Sequence, residues 1–284
     1  MEISSDRPAT SDPADTCIDA PITPAPVESL DGAGSRWCPA TLSVTDPELV
    51  EIFDNFAFGE VLAGSRLDVQ TRLMVQLAAL VACGARTEFT VLLGAALDAG
   101  VTATAAKEVV YQAVPYVGMG RVVDFVLATN EELAGRGVAL PLDARSTTTP
   151  ETRGSTGRAV QEHVAGAAQV RDMYGAAPAD EKHIQQFLSA NCFGDHLARA
   201  GVELATRELL TFSMLVALGG ADAQVRGHVA GNLNVGNTRR DLIDVVTVLV
   251  PFIGYPRSLN ALAAVDAVAP ARPDPAPESG RQDP

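Results

Sequence analysis

The sequence contains one pattern twice, and this internal repeat limits the possible fold more than any other feature of the chain. The two halves align at an offset of 135 residues, which becomes 136 after a one-residue insertion. Matching pairs are Phe58 and Phe193, Thr71 and Thr206, Gly84 and Gly219, Gly100 and Gly236, Thr102 and Thr238, and Pro115 and Pro251. Because one register persists over so long a stretch, the sequence predicts two copies of one structural unit.

Each copy has the pattern of successive helices. The stretches 69–83 and 205–218 are apolar, contain no internal Gly or Pro, and are followed by a glycine suited to a helix C-terminus. Amphipathic stretches follow at 87–99 and 222–235, and a threonine then stands where it can cap a further helix ending near the proline. Alternating runs joined by Asn-Gly or Asp-Gly turns are missing. The sequence therefore predicts an all-α fold, a tandem duplication of one helical unit.

Composition along the chain predicts where the copies begin and end. Proline-rich polar segments at 1–42 and 268–284 are expected to be flexible. A stretch rich in Ser, Thr and Gly at 141–157 predicts a linker. The first repeat is then expected at 43–140 and the second at 158–267.

Charge and motif content exclude several function classes. The formal net charge of −14 argues against a nucleic-acid or anionic-membrane partner. We find no secretory leader and no run of 18 apolar residues, so we expect a soluble, cytoplasmic protein. The four cysteines form no CxxC pair and the four histidines form no HxH or HxxxH pair, which predicts reduced thiols and no metal site. Without a GxGxxG or Walker motif, no cofactor is predicted.

The order of Arg, Gly, His, Gly, Thr and a downstream aromatic-x-Gly turn resembles the carboxymuconolactone decarboxylase family. In the second copy these residues are Arg207, Gly219, His228, Gly236, Thr238 and Gly254, and the first copy keeps Arg72, Gly84, Gly100, Thr102 and Gly118. The resemblance implies an all-α unit that acts on a small molecule and assembles into trimers or hexamers of single units. A two-copy chain is then expected to form a homo-oligomer, with a trimer resembling six units.

Two branches of that family differ in the residues before the histidine. The peroxidase branch, of the alkylhydroperoxidase D type, carries a CxxC pair, and this chain has Ala221 and Gln224 at those positions. The disulfide-forming cycle of that branch therefore lacks its thiols. The decarboxylase branch places Glu four residues before the His. Here Glu88 has that place in the first copy, where Leu92 replaces the His, whereas His228 follows Gln224.

His228 is the main candidate for a general acid/base, because an imidazole can gain or lose a proton near neutral pH. Glu208 precedes it by twenty residues, so an antiparallel helix pair could bring the two together. The first copy has Leu73 and Leu92 at the aligned positions. This predicts one working site in the second copy and a degenerate site in the first. A buried structural histidine, and a glutamate that only complements a helix dipole, are the alternatives.

Six further residues are weaker candidates that could line the same pocket as His228. They are His196 as a catalytic group, and Tyr255, Arg207, Asp195, Glu88 and Tyr116 as substrate-binding groups. For the arginine, a structural ion pair is the alternative to binding a substrate carboxylate. The tyrosines could equally serve packing, Asp195 and His196 could form a solvated turn, and Cys83 is interpreted as a small buried hydrophobe.

Together these residues favour a cofactor-independent enzyme that transfers protons on a carbonyl, lactone or carboxylic acid substrate. A decarboxylase, isomerase or cyclase reaction fits this chemistry, and the departure from both family signatures suggests a role in specialised metabolism. The alternative is a non-catalytic oligomeric binding or scaffold protein. A peroxidase is the third hypothesis.

Overall fold

The computed structural model describes residues 42–271, and within this range the chain forms helices and no β-strand. The all-α fold predicted from the repeat is confirmed. Across the same residues no helix combines the length and the apolar character needed to span a bilayer. The terminal segments expected to be flexible, 1–42 and 268–284, lie almost wholly outside the described residues.

The first copy is a run of seven α-helices interrupted by one π-helical segment. Its elements are α1 (Leu42–Thr45), α2 (Pro47–Asp54), the π-helical segment Asn55–Glu60, α3 (Val61–Gly64), α4 (Val69–Cys83), α5 (Arg86–Asp98), α6 (Ala103–Val117) and α7 (Met119–Gly135).

The second copy repeats this order after two further helices. Its elements are α8 (Arg153–Ala165), α9 (Ala167–Ala176), α10 (Lys182–Phe187), the π-helical segment Leu188–Leu197, α11 (Leu204–Leu218), α12 (Asp222–Asn234), α13 (Arg239–Ile253) and α14 (Tyr255–Val268). Helices α11 to α14 correspond to α4 to α7 at the offsets found in the sequence. Helix α8 begins at Arg153, inside the segment 141–157 interpreted as a linker, and neither α8 nor α9 has a counterpart in the described part of the first copy.

Local side-chain chemistry explains where the repeated helices begin and end. The Thr102 hydroxyl accepts a hydrogen bond from the backbone N–H of Ala105 at the start of α6. Thr238 and Asp241 form a reciprocal capping box at the start of α13. Gly84 ends α4 with a φ of 75°, a left-handed conformation that glycine adopts without a steric penalty. Helices α6 and α13 end near their prolines, as predicted, but each continues for two residues beyond the proline.

The two copies share one large hydrophobic core, and a smaller apolar cluster lies between α8 and the second π-helical segment. Helices α4 and α11 lie against each other at the centre of the large core, and most of their residues are buried. Hydrogen bonds also join the copies, since Gln76 donates to the Val248 carbonyl at 3.1 Å and Gln112 donates to the Arg207 carbonyl at 2.7 Å. A residue of one copy can therefore complete a site in the other.

Helix α8 crosses the π-helical segment Leu188–Leu197 with its backbone in direct contact. A Cβ atom on Gly157 would lie 2.0 Å from the Ser189 carbonyl oxygen, and one on Gly194 would lie 2.2 Å from the Arg153 carbonyl oxygen. Both distances are far inside van der Waals contact, so only glycine fits at these positions. The crossing holds α8 beside α12 and positions one wall of the site described next.

Candidate active site

Glu208 and His228 form a hydrogen-bonded pair between neighbouring helices of the second copy. Glu208 lies near the start of α11 and is fully buried, while His228 lies in the middle of α12 and is partly exposed. Glu208 Oε2 and His228 Nδ1 are 2.8 Å apart. The structure thus brings together the two residues that the sequence places twenty positions apart.

The carboxylate depends on this imidazole for its hydrogen bonding. Glu208 Oε1 is buried and has no hydrogen-bond partner among the described residues. Within residues 42–271, His228 is therefore the one side chain seen to satisfy the carboxylate. A buried carboxylate with one partner interacts strongly with a positive charge that develops on that partner.

Asn232 and Gly231 fix the geometry of the pair. The Asn232 amide donates to the backbone carbonyls of Glu208 and His228, at 3.1 and 2.7 Å, and it accepts a hydrogen bond from Asn237 at 2.8 Å. A Cβ atom on Gly231 would lie 2.9 Å from Glu208 Oε2. The absence of a side chain at position 231 therefore leaves room for the carboxylate to reach the imidazole.

His228 lies at the wall of a cavity of about 670 Å³, which we name the His228 cavity. Its lining residues come from α6, α8, α9, the second π-helical segment, α11, and the first half of α12 with the residue before it: Pro115, Tyr116, Gln161, Val164, Ala165, Gln169, Met173, Leu188, Cys192, Phe193, Leu215, Leu218, Ala221, Ala223, Gln224, Gly227 and His228. Most are apolar, and none of these described residues is Lys, Arg, Asp or Glu. The cavity is therefore suited to a small, largely apolar molecule.

Tyr116 and Cys192 lie beside the histidine in this cavity. The rings of Tyr116 and His228 meet edge to face with centroids 5.9 Å apart, and the Tyr116 hydroxyl is 3.8 Å from Cys192 Sγ. Burial raises the pKa of Tyr116 well above its ordinary value, and the nearby Cys192 and Glu208 add to this shift. Burial also raises the pKa of Cys192 to about 12. At neutral pH both groups keep their protons, so Tyr116 can donate a hydrogen bond and Cys192 is a poor nucleophile.

Arg207 and Asp195 are engaged in contacts within the protein. The Arg207 guanidinium is fully buried and donates to Glu108 and Gln112, each at 3.0 Å, and to the backbone carbonyl of Arg199 at 2.9 Å. Asp195 pairs with Arg153. Neither residue lines the His228 cavity. For Arg207 the geometry is that of the structural ion pair that the sequence left open.

His196, Tyr255 and Glu88 are also absent from the lining of the His228 cavity. Tyr255 is 61% exposed at the start of α14, and Glu88 lies in the first turn of α5 in the other copy. The Nδ1 atom of His196 is buried with no hydrogen-bond partner among the described residues, and burial lowers the pKa of this imidazole. Of the eight candidate site residues, the cavity wall brings together His228 and Tyr116, with Glu208 directly behind them.

The aligned positions of the first copy form no equivalent pair. Leu73 on α4 and Leu92 on α5 are both buried in the shared core. Cys83 is partly buried, and burial raises the pKa of its thiol. Across the described residues, no cluster of three or more His, Cys, Asp or Glu side chains is placed to hold a metal ion.

The sequence did not indicate that Gln161, Met173 and Cys192 belong to the site. The first two lie on α8 and α9, which have no match in the repeat alignment. Cys192 lies next to the repeated Phe-Gly pair but has no cysteine at the aligned position of the first copy. No motif in the sequence marks any of the three.

The comparison with protein families agrees with the repeat. The model of the carboxymuconolactone decarboxylase family matches residues 47–131 and again residues 183–267. The chain belongs to the carboxymuconolactone decarboxylase family. It is a tandem two-copy member, and the matches cover α2 to most of α7 and α10 to most of α14. Helices α8 and α9, which form part of the cavity wall, fall outside both family units.

A curated relative comes from the same family. The chain is 28% identical over 118 residues to a protein named 4-carboxymuconolactone decarboxylase from Acinetobacter baylyi. This match covers 42% of the present chain and 87% of the relative. It supports membership of a decarboxylase-like family of enzymes.

Proposed function

We propose that the protein is an acid–base enzyme in which His228 moves a proton to or from a carbon atom of a small carbonyl or lactone compound. The observation that carries this proposal is the Glu208–His228 pair, 2.8 Å apart, whose imidazole lies at the wall of a cavity of about 670 Å³. Imidazole is suited to proton transfer near neutral pH, and the neighbouring cavity provides space for a substrate.

Glu208 acts in this proposal as the group that positions the imidazole. An ionised carboxylate accepts a hydrogen bond from Nδ1–H, which keeps the proton on Nδ1 and leaves Nε2 unprotonated as the base. When Nε2 takes a proton from the carbon next to a carbonyl, the electron pair of the broken C–H bond delocalises into an enolate. The buried carboxylate then stabilises the imidazolium, and the protonated phenol of Tyr116 is available as a donor to the enolate oxygen.

The fate of the enolate distinguishes the possible reactions. Where a C=C bond of the substrate is conjugated with the enolate, His228 can return the proton to the far carbon of that bond, which moves the double bond and isomerises the substrate. Alternatively, the enolate carbon can attack an electrophilic carbon of the same molecule, which closes a ring, and His228 then protonates the group that carries the negative charge. Neither route needs a group beyond the substrate and the residues named above.

We infer that the substrate is uncharged. The described lining of the His228 cavity contains no lysine or arginine, and the carboxylate of Glu208 lies directly behind the histidine. A substrate carboxylate would lose its water without gaining a cation, which is unfavourable. This favours an isomerase or cyclase reaction over decarboxylation of an ionised acid. Since α8 and α9 shape the cavity and lie outside both family matches, they are the elements expected to set this preference.

The cavity also bears on the other two hypotheses. A scaffold protein would not require an open space of this size beside a hydrogen-bonded carboxylate and imidazole. A peroxidase of the CxxC type would require thiols where Ala221 and Gln224 line the cavity. These observations favour the acid–base enzyme.

The test is deuterium uptake by candidate substrates in D₂O, followed by proton NMR. The panel contains uncharged unsaturated lactones and β-keto esters, with 4-carboxymuconolactone as the charged comparison. The wild-type protein is expected to exchange a carbon-bound proton of an uncharged compound and to act more slowly on the carboxylated one. His228→Asn should slow the exchange by about 10²- to 10⁴-fold, the usual contribution of general acid–base catalysis.

Two further variants control this experiment. His183→Asn makes the same chemical change at an exposed histidine on α10 and should leave exchange unchanged. Glu208→Gln keeps the shape of the positioning residue but removes its charge, and it should lower the rate less than His228→Asn. The proposal is wrong if no compound of the panel exchanges, or if His228→Asn exchanges as fast as wild type.

A further inference from the structure

A second cavity, of about 460 Å³, lies between α6, α7 and the segment 140–145. We name it the Lys107 cavity. Its lining residues are Thr104, Lys107, Glu108, Tyr111, Val126, Asn130, Leu140, Pro141, Leu142, Asp143, Ala144, Arg145 and Arg199. None of them lines the His228 cavity. The two cavities also differ in chemistry, because this one contains three cationic side chains.

Lys107 carries a buried charge with few partners. The side chain is only 8% exposed, its ammonium group donates to Asn130 Oδ1, and it lies 5.4 Å from the centre of the Tyr111 ring. An ammonium group has three donors, and no carboxylate lies within ion-pair distance of it among the described residues. A buried charge without a counter-ion is unfavourable, so this position is suited to an anion.

The arginines around the cavity add to the excess of positive charge. Arg199 makes three hydrogen bonds of 2.9 to 3.0 Å with Glu108, and Arg207 binds the same carboxylate at 3.0 Å from behind. One buried carboxylate thus serves two guanidinium groups. Arg145 has a buried Nε atom with no hydrogen-bond partner within residues 42–271. The other acid at the cavity, Asp143, is exposed.

We propose that the Lys107 cavity binds a small organic anion, whose carboxylate or phosphate group neutralises Lys107 and Arg145. Both side chains are strong partners for such oxygens, and an arginine can bind them with two parallel hydrogen bonds. The ring of Tyr111 and the side chains of Leu140 and Leu142 offer an apolar surface for the rest of the ligand. The chain carries a net charge of −14, so this cavity is a local exception to its overall electrostatics.

Isothermal titration calorimetry at constant ionic strength tests this site with two probes. Sodium benzoate combines a carboxylate with an apolar ring, and inorganic phosphate presents the anionic group alone. The wild-type protein is expected to bind at least one probe saturably, at one site per chain. Lys107→Met and Arg145→Gln should each weaken that binding by about tenfold or more, because each removes a charge-assisted hydrogen bond.

The chain offers a matched control in Lys182, its only other lysine, which is exposed on α10. Lys182→Met should bind both probes as the wild type does. Binding of benzoate alone assigns the site to carboxylates, and binding of phosphate alone assigns it to phosphates. His228→Asn should bind equally well, which separates this site from the proposed catalytic one.

Three results would overturn the proposal. The first is that neither probe binds saturably. The second is that Arg145→Gln binds the probe as tightly as the wild type. The third is that Lys107→Met and Lys182→Met lose affinity for the probe equally. Arg145 lies in an irregular segment outside the helices, so its variant keeps the test decisive if Lys107→Met fails to fold.

Discussion

Glu208 and His228 are not required by the fold, because the first copy forms the same two helices with leucines at both positions. Leu73 and Leu92 are buried on α4 and α5 and pack into the shared core. Replacing a buried polar pair by packed apolar residues is often neutral or stabilising. The pair in the second copy is therefore better explained by chemistry than by stability.

The buried thiol of Cys192 is expected to react slowly. A pKa of about 12, against an ordinary value of 9.0, leaves about a thousandfold less thiolate at pH 8. Iodoacetamide should therefore modify Cys192 in the native protein about three orders of magnitude more slowly than in the urea-unfolded protein. Peptide mass mapping after timed quenching measures both rates. Equal rates would show an accessible thiolate and would reopen thiol chemistry at this cavity.

At the level of the helices, the repeated sequence pattern predicted the positions of helix ends well. The apolar stretch 69–83 forms α4 with the predicted ends, and the threonine caps and the glycine at the end of α4 lie where the sequence placed them. The start of α8 was not predicted, because its glycines and hydroxyl residues have the composition of a linker. Gly157 is there for a different reason, since the backbone of the π-helical segment contacts α8 at that residue.

Gly157→Ala therefore tests the crossing that builds the cavity wall. The added methyl group would lie 2.0 Å from a carbonyl oxygen that cannot move independently of its helix. We expect the free energy of unfolding to fall by about 3 kcal/mol or more, at the upper end for overpacked sites. Chemical denaturation monitored by circular dichroism measures the change.

Gly154→Ala is the matched control on the same helix. Its methyl group would meet no atom within 4 Å, and alanine favours helix more than glycine does. This variant should be unchanged or more stable by up to about 1 kcal/mol. Equal stability of the two alanine variants would contradict the close crossing of α8 and the π-helical segment.

For the molecule as a whole, the structure shows that both copies contribute residues to the His228 cavity. Tyr116 comes from the first copy and His228 from the second, and helices outside both family matches close the cavity. The sequence could indicate that Glu208 and His228 lie close together, because they are on consecutive helices of one copy. It could not place Tyr255 and His196 outside the cavity, because their positions depend on how whole helices pack. For the same reason it could not predict the contribution of α8 and α9.

The outer surface of the two copies also repeats. Met119, Val123 and Leu127 are exposed along one face of α7, and Tyr255 and Leu259 are exposed at the aligned positions of α14. Exposed apolar residues at matching places are consistent with symmetric assembly. The homo-oligomer, its trimeric form and the cytoplasmic location stay predictions.

The tautomer of His228 shows whether Nε2 can act as the base in the proposed reaction. Long-range ¹H–¹⁵N NMR of the imidazole ring distinguishes a neutral ring protonated on Nδ1 from one protonated on Nε2. We predict the Nδ1–H form in the wild-type protein, since Glu208 accepts a hydrogen bond from Nδ1–H. Glu208→Leu, which introduces the residue of the first copy, should lose this preference. A wild-type ring protonated on Nε2 would contradict the proposed role of His228, because Nε2 would then be a donor and could not take a proton from the substrate.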